Sequence, residues 1–381
     1  MNSKFFKYAL YSMLAFVLLQ IPSFAQAQQA QAVAPVQYNL DTLRQLPTGA
    51  SISDAEFESK TTLYEQKVED RDFLNFEVRL PTQWKESFLN SQQINPLNPN
   101  FLTDIGRYVS QPYGDKRAFF SVQAITLKKE VFAEDWFRNQ VLTNSYNIKT
   151  ILIKDSKEIQ ALYTSLEGDI AFAIRAKVII AGDVLYFARL ALPVNTFSKL
   201  ADMQAKVVQS FKVTSPKQGS IEKERRFAIL NSLSFFYPSS WEIKEPDFSN
   251  LDHLSVELHR IERQNITFGR FTIEAIRKTE EVGLQSFIQN TINELEKKGY
   301  KLDKLIEQKN ANLPEGFYGG TIEVYSTYGN LEDLEQEFWF SYFEDADYYF
   351  FFTMLTPTRD VAYEDWARNR AVYLNTMARV E

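Results

Sequence analysis

Few residues of this chain could carry out acid–base or metal chemistry, because its 381 residues include two histidines and no cysteine. His253 and His259 flank Glu257 in the segment Asp-His-Leu-Ser-Val-Glu-Leu-His. On a strand, all three side chains point to the same face, which suggests a metal site. However, the histidines would lie roughly 20 Å apart along an extended strand, too far to share one ion. A polar, solvent-facing strand is therefore the preferred interpretation.

Other motifs of known chemistry are absent from the sequence. The lack of cysteine excludes disulfide scaffolds, cysteine zinc sites and cysteine nucleophiles. There is no Gly-x-Ser-x-Gly elbow, no Gly-x-x-x-x-Gly-Lys-Ser/Thr phosphate loop and no Gly-x-Gly-x-x-Gly fingerprint. The glycines of 316–320 predict a turn that leads into a strand at Thr321–Tyr325. We assign no catalytic, cofactor-binding or metal-binding residue, and we expect no cofactor.

Two acidic segments allow more than one interpretation. A predicted hairpin tip with Glu344, Asp345 and Asp347 could bind calcium, but it lacks the ligand spacing of an EF-hand, so a solvated tip is preferred. The second segment could face a basic partner or form a soluble loop, and it contains Glu332, Asp333, Glu335 and Glu337. We prefer the soluble loop. A carboxylate pair for glycoside hydrolysis stays open, because it depends on a distance.

The N-terminus has the pattern of an export signal. Lys4 and Lys7 precede an apolar stretch from Ala9 to Leu19, and small residues follow. This pattern predicts a signal peptide over residues 1–27, cleaved near Ala25 or Ala27, and hence a periplasmic or secreted protein. The alternative is an N-terminal anchor in the inner membrane. No later segment has about 18 uninterrupted apolar residues, so we expect no membrane insertion after signal removal.

Charge is distributed unevenly along the chain. Residues 28–220 contain 22 basic and 21 acidic residues, whereas residues 221–381 contain 18 basic and 28 acidic residues. The second part therefore has a net charge of −10. An acidic half argues against nucleic acid or an anionic membrane surface as the partner.

Three sequence blocks recur in the same order in the two halves, which predicts a tandem duplication. Both copies of the first block are predicted strands that run into Pro-x-x-Trp. The matched blocks are Phe73–Trp84 with Leu233–Trp241, Phe120–Ile125 with Phe271–Ile276, and Asp183–Pro193 with Asp347–Pro357. The resulting division is a signal peptide (1–27), a flexible leader (28–59), a first domain (60–213), a linker (214–221) and a second domain (222–381).

Each half is predicted to contain strands, a helix, a hairpin and a closing helix. The hairpins are expected at Ile170–Ile180 with Val184–Leu192 and at Glu337–Phe343 with Tyr348–Thr356. Apolar residues at helical spacing predict a helix at Leu284–Lys297. Hairpin-connected strands with flanking helices make the fold class α+β, with a mainly antiparallel sheet in each of two tandem domains. The aromatic run from Tyr348 to Phe352 is expected to be a strand covered on both faces, or an interaction surface if one face is open.

The segment Phe-Phe-Tyr-Pro-Ser-Ser-Trp, which ends at Trp241, resembles the PsbP-like fold of photosystem II extrinsic proteins. The import factor that binds the GTPase Ran shares this fold. The resemblance implies an antiparallel sheet flanked by helices in each half. It also implies a non-enzymatic accessory or binding role within an assembly, and it supplies no catalytic residue.

These observations favour an exported, non-catalytic binding or accessory protein of the cell envelope that acts through protein–protein contacts. Its expected partner is another envelope protein. One alternative is a protein that binds a small ligand or metal ion in a cleft between the two domains. A second alternative is a carboxylate-based hydrolase. The sequence determines neither the partner nor the oligomeric state.

Overall fold

The computed structural model describes residues 51–87, 97, 100–112, 117–167, 170–230, 232–244, 246–261, 269–278, 284–297, 300–329 and 335–381. These residues belong to one compact unit. The predicted signal peptide and residues 28–50 of the predicted leader lie outside them. Within the compact unit the chain forms two lobes, each built on one large sheet.

The first lobe extends to residue 213. Its elements are α1 (Asp54–Lys60), β1 (Thr61–Gln66), β2 (Phe76–Pro81), β3 (Lys85–Glu86), β4 (Thr103–Val109), β5 (Phe119–Thr126), α2 (Ala133–Thr143), β6 (Asn147–Ile153), β7 (Glu158–Glu167), β8 (Ile170–Ala181), β9 (Val184–Pro193), α3 (Val194–Ser210) and β10 (Lys212–Val213).

The second lobe begins at β11. Its elements are β11 (Glu224–Ile229), β12 (Leu233–Pro238), β13 (Trp241–Ile243), β14 (Asp247–Asn250), β15 (His253–Arg260), β16 (Arg270–Arg277), α4 (Leu284–Lys297), β17 (Tyr300–Asn310), β18 (Tyr318–Gly329), β19 (Gln336–Glu344), β20 (Tyr348–Pro357) and α5 (Tyr363–Met377).

The two large sheets have corresponding strand orders. The first is β3-β4-β5-β9-β8-β7-β6, and the second is β13-β15-β16-β20-β19-β18-β17 with β14 beside β15. Adjacent strands in both sheets are antiparallel. In each lobe, the helix that follows the third strand of this order leads to the opposite edge of the sheet. The chain then returns to the centre of the sheet through three consecutive hairpins. The α+β class and the antiparallel sheets predicted from the sequence are confirmed.

A smaller sheet and a helix cover one face of each large sheet. In the first lobe this layer consists of β1, β2, β10 and α3, and it buries Trp84. In the second lobe it consists of β11, β12 and α5, and it buries Trp241. The opposite face packs against α2 in the first lobe. In the second lobe that face is a cluster of phenylalanines with Leu284 and Ile288 of α4 against it.

The predicted helix at Leu284–Lys297 and both predicted hairpins are confirmed within one or two residues. The sequence interpretation missed β6 and β7, which follow α2 in the first lobe, and β17, which follows α4 in the second. Most side chains of β17 are exposed or half-buried, so it lacks the apolar alternation by which a strand is recognised.

The predicted flexible leader is wrong at its C-terminal end. The Ser53 hydroxyl accepts a hydrogen bond from the Glu56 backbone and caps α1. Phe57, in the middle of this helix, is buried against the core of the first lobe. One apolar residue in a polar segment gave too weak a signal for the sequence to place this helix.

Candidate functional site

One end of the second large sheet brings together exposed apolar and charged side chains. β15 starts there, next to the end of β16, the start of β20, the end of β19 and the start of β18. We call this end the tip surface, and it comprises Leu251, Asp252, Arg277, Lys278, Tyr318, Glu344, Asp345, Asp347 and Tyr348.

Two large side chains of the tip surface are exposed to solvent. Leu251 is 64% exposed and Tyr318 is 63% exposed. Between them, the Arg277 guanidinium carbon lies 5.8 Å from the ring centroid of Tyr348. The guanidinium also donates a hydrogen bond of 3.4 Å to the Tyr348 hydroxyl and lies 3.5 Å from the Asp252 carboxylate. The arginine therefore contacts both the ring and the hydroxyl of the tyrosine.

Two of the three carboxylates in the acidic hairpin at the tip have partners. One carboxylate oxygen of Asp345 accepts hydrogen bonds from the backbone N–H groups of Asp347 (2.8 Å) and Tyr348 (2.7 Å), which is an Asx turn. The Glu344 carboxylate pairs with the Lys278 ammonium at 2.8 Å. These carboxylates do not converge on a common point. In the described parts of the chain, no group of three or more His, Asp or Glu side chains could hold a metal ion.

The structure does not bring the two histidines together. Along β15, Leu254, Val256 and Leu258 are buried on one face, which confirms the predicted alternation. His253 lies at one end, 3.7 Å from the Glu274 carboxylate, and this contact raises the pKa of His253.

His259 lies near the other end of the same strand. It contacts Glu257, and the carboxylate of Glu257 also pairs with Arg270 at 2.8 Å. Each histidine therefore has a carboxylate partner of its own, on an outward-facing row of polar side chains.

The aromatic run forms the predicted strand. Phe350 and Phe352 belong to the face covered by α5, and Phe351 belongs to the opposite face. All three are buried, whereas Tyr349 is half-buried. The interpretation as a strand covered on both faces is therefore confirmed at its centre. Gly316 lies in the predicted turn, whereas Gly319 and Gly320 already belong to β18, which begins three residues earlier than predicted. Gly316 and Gly319 have positive φ angles.

The sequence did not predict a buried polar contact between the lobes, which we call the seam. It comprises Glu130, Phe132, Asp135, Glu222, Glu337, Arg359, Trp366, Arg370 and Asn375. At its centre, Asp135 of α2 pairs with Arg370 of α5 at 2.5 Å. The guanidinium of Arg370 also lies over the rings of Phe132 (5.2 Å) and Trp366 (5.7 Å).

Glu337 corrects the interpretation of the second acidic segment. It lies on β19 and is only 2% exposed, so it is not part of a soluble loop. Its carboxylate accepts hydrogen bonds from the indole N–H groups of Trp339 (3.1 Å) and Trp366 (2.7 Å), and it pairs with Arg359 at 3.2 Å. Glu332 and Asp333 lie outside the described residues.

A second part of the seam joins two glutamates. The backbone N–H of Glu130 donates to the Glu222 carboxylate at 3.0 Å, and the backbone N–H of Glu222 donates to the Glu130 carboxylate at 3.3 Å. Asn375 of α5 donates to the other Glu130 oxygen at 3.4 Å. Burial raises the pKa of Glu130, and the neighbouring Glu222 charge adds to this effect.

Among the charged residues Glu337, Asp135 and Arg370 of the seam, a local signal existed only for Glu337. Glu337, Trp339 and Ser341 are spaced two residues apart, so on a strand their side chains share one face. This spacing would have placed Glu337 on the same face as the tryptophan. Asp135 and Arg370 look like ordinary surface charges of amphipathic helices. Nothing in their local sequence indicates that the two helices meet.

None of the described helices combines the length and the apolar character needed to cross a membrane. No protein-family model and no curated protein matches the sequence. Among solved structures, cyanobacterial PsbP (CyanoP) from Synechocystis sp. PCC 6803 is similar with a TM-score of 0.30 and 15% identity, over 44% of this chain and 98% of that chain.

The immunity protein TplEi of T6SS from Pseudomonas aeruginosa is also similar. Its apo structure has a TM-score of 0.22 and 10% identity, over 84% of this chain and 96% of that chain. Its complex with "L" peptide has a TM-score of 0.23 and 8% identity, over 85% and 98% of the two chains. Similarities with TM-scores and sequence identities this low identify neither a family nor a function.

Proposed function

We propose that this chain is an exported, non-catalytic accessory protein of the cell envelope that binds another envelope protein through the tip surface. The observation that carries this proposal is the exposure of Leu251 and Tyr318 at the same end of one sheet, on either side of the Arg277–Tyr348 pair. Protein interfaces are enriched in tyrosine and arginine, with apolar anchors inside a charged rim. The tip surface has this composition.

Local contacts at the tip surface support the proposal. A pre-ordered binding surface loses less conformational entropy when the partner docks than a mobile surface does. The Asp345 turn and the Arg277–Tyr348 contact order the tip in this way. The export signal expected at residues 1–27 supports the location in the envelope.

We also propose that the lobes arose by tandem duplication of one PsbP-like unit. The corresponding strand orders and the buried tryptophans Trp84 and Trp241 after matching prolines support this origin. An experimental structure of the full chain tests it by superposition of the lobes. Different positions of the two Pro-x-x-Trp turns relative to the sheets would contradict it.

Site-specific crosslinking in the native cell tests the binding function. A photoreactive phenylalanine analogue at position 318 or 251 is expected to give one discrete adduct with an envelope protein. The matched control is the same analogue at Leu63, which is also exposed but lies on β1 of the first lobe. Adducts that form equally from position 63, or no adduct from either tip position, would contradict the proposal.

The alternatives are tested separately. For a ligand or metal in a cleft between the lobes, the seam already fills the contact between α2 and α5 with the Asp135–Arg370 ion pair. Native mass spectrometry of the purified protein, with thermal shifts in calcium and zinc, is expected to show no adduct and no shift. For a carboxylate-based hydrolase, turnover of cell-wall glycans by the purified protein would replace the binding proposal.

A further inference from the structure

Two arginines flank a buried serine on the α2 side of the first large sheet. Arg107 on β4 pairs in register with Ser121 on β5, and Ser121 pairs with Arg189 on β9. Directly paired residues point to the same face of a sheet, and neighbouring strands are about 4.8 Å apart. The two arginine Cα atoms are therefore roughly 10 Å apart, with both side chains on one face. We call Arg107 and Arg189 the arginine pair.

Aromatic rings and a hydroxyl position both guanidinium groups. Arg107 lies over the ring of Phe119 (5.5 Å), and Arg189 lies over the ring of Phe187 (5.3 Å). Both phenylalanines are buried, so they form a firm platform. The Nε–H of Arg189 donates to the Ser121 hydroxyl at 3.2 Å. The outer nitrogens of this guanidinium then remain as a fork that can bind a carboxylate with two hydrogen bonds.

The arginine pair lacks carboxylate partners. Over the described ranges of the chain, neither arginine forms an ion pair with aspartate or glutamate. Lys85, paired in register with Val109, adds a third positive charge to the same face. Arg107 and Arg189 lie two strands apart, and Lys85 lies on the strand next to Arg107. A bound anion would reduce the repulsion among these positive charges.

The second lobe shows that the fold does not require these arginines. The register places Glu257, Thr272 and Thr353 at the positions of Arg107, Ser121 and Arg189. There the carboxylate of Glu257 is paired with Arg270 at 2.8 Å. At these backbone positions, the second lobe therefore has polar residues whose one carboxylate is paired with an arginine. The first lobe has two arginines without a carboxylate partner among the described residues.

We propose that the arginine pair binds an acidic protein segment, as a second docking site separate from the tip surface. Alternate side chains of an extended segment lie about 6.6 Å apart on one face, a spacing that two flexible arginine side chains can match from Cα atoms roughly 10 Å apart. The carboxylates at positions i and i+2 of the segment would each form an ion pair with one arginine. Phe119 and Phe187 would contact the part of the segment between the two carboxylates. The inference rests on the proposed function only in taking the ligand to be a protein segment.

Peptide binding to the full-length mature protein tests this site. The probe is a fluorescent decapeptide of alternating glutamate and glycine, measured by anisotropy, and the matched peptide replaces glutamate by glutamine. The glutamate peptide is expected to bind and to weaken as salt increases. The combined change Arg107→Gln and Arg189→Gln is expected to weaken binding at least tenfold. The matched control Arg225→Gln removes an exposed charge from β11 of the second lobe and is expected to leave binding unchanged.

Further variants keep the test decisive. Lysines at both positions retain the charge but not the fork, so they are expected to restore binding only in part. Arg107→Gln alone changes an exposed side chain and serves as the test if the double variant fails to fold. Equal binding of the two peptides, or wild-type affinity in the double variant, would overturn the proposal. Displacement by equimolar inorganic phosphate would also overturn it, because it would indicate a general anion site. Crosslinking from position 318 is independent of this result, so the two proposals can fail separately.

Discussion

Asp135 of the first lobe and Arg370 of the second lobe form an ion pair of 2.5 Å in which both side chains are largely buried. The pair is the central contact between α2 and α5. Arg370 also packs on aromatic rings from both lobes, Phe132 and Trp366. The position of one lobe against the other therefore depends on charges that are shielded from water.

Breaking this pair is expected to destabilise the whole protein. In Asp135→Ala, the guanidinium of Arg370 stays buried without its carboxylate, and such a loss costs about 3–5 kcal/mol of unfolding free energy. Arg370→Ala should have a similar effect, and the double variant should lose less than the sum of the two. Urea unfolding of the four proteins measures the coupling. Additive losses would show that the pair does not join the lobes.

Glu337 is expected to be structural although it lies next to an acidic loop. Glu337→Gln removes the charge that strengthens the hydrogen bonds from Trp339 and Trp366, and it leaves Arg359 without this carboxylate. The unfolding free energy should fall by about 1–3 kcal/mol. The matched control is the exposed Glu335, two residues earlier, where the same substitution should change stability by less than about 0.5 kcal/mol. Equal effects at both positions would contradict the buried position of Glu337.

His253 is expected to titrate above its ordinary pKa, because its contact with Glu274 favours the protonated ring. The stabilisation from this contact is fully present below pH 6.5, the ordinary value, and it is lost as the pH rises through the raised pKa. With only two histidines in the chain, NMR of carbon-13-labelled histidine in tag-free protein resolves each ring. Glu274→Gln should lower the pKa of His253. An unchanged His253 pKa in this variant would refute the assigned cause.

The packing of the small sheet on the first large sheet can be tested at Gly106. A Cβ atom added at this residue of β4 would lie 2.5 Å from the Cζ atom of the Phe76 ring on β2. Gly106→Ala is therefore expected to lower the unfolding free energy by about 1–3 kcal/mol through overpacking. Gly106→Ala should cost less in a Phe76→Leu background, because Phe76→Leu removes the clashing ring. Thermal or urea unfolding of the two single variants and the double variant measures this difference, and an equal cost in both backgrounds would argue against this layer packing.

The elements that the sequence predicted correctly are those with a strong local pattern. β15 alternates buried and exposed residues, and α4 carries apolar residues at helical spacing. The missed elements lack such a pattern. α1 has a single buried residue, Phe57, and β17 is an edge strand with exposed side chains. Local periodicity reflects burial on one face, so elements with little burial leave little trace in the sequence.

The sequence by itself determined the α+β class, the hairpins and most of the helices, because hydrophobic periodicity and turn residues act over a few neighbouring positions. Only the tertiary structure decided which charges meet. Asp135 and Arg370 are separated by 235 positions in the chain. Arg107 and Arg189 come side by side only because β4, β5 and β9 pair in one register. Such contacts follow from how strands and helices pack over long separations, and the type of a single charged residue does not show whether it will be buried, paired or left for a partner.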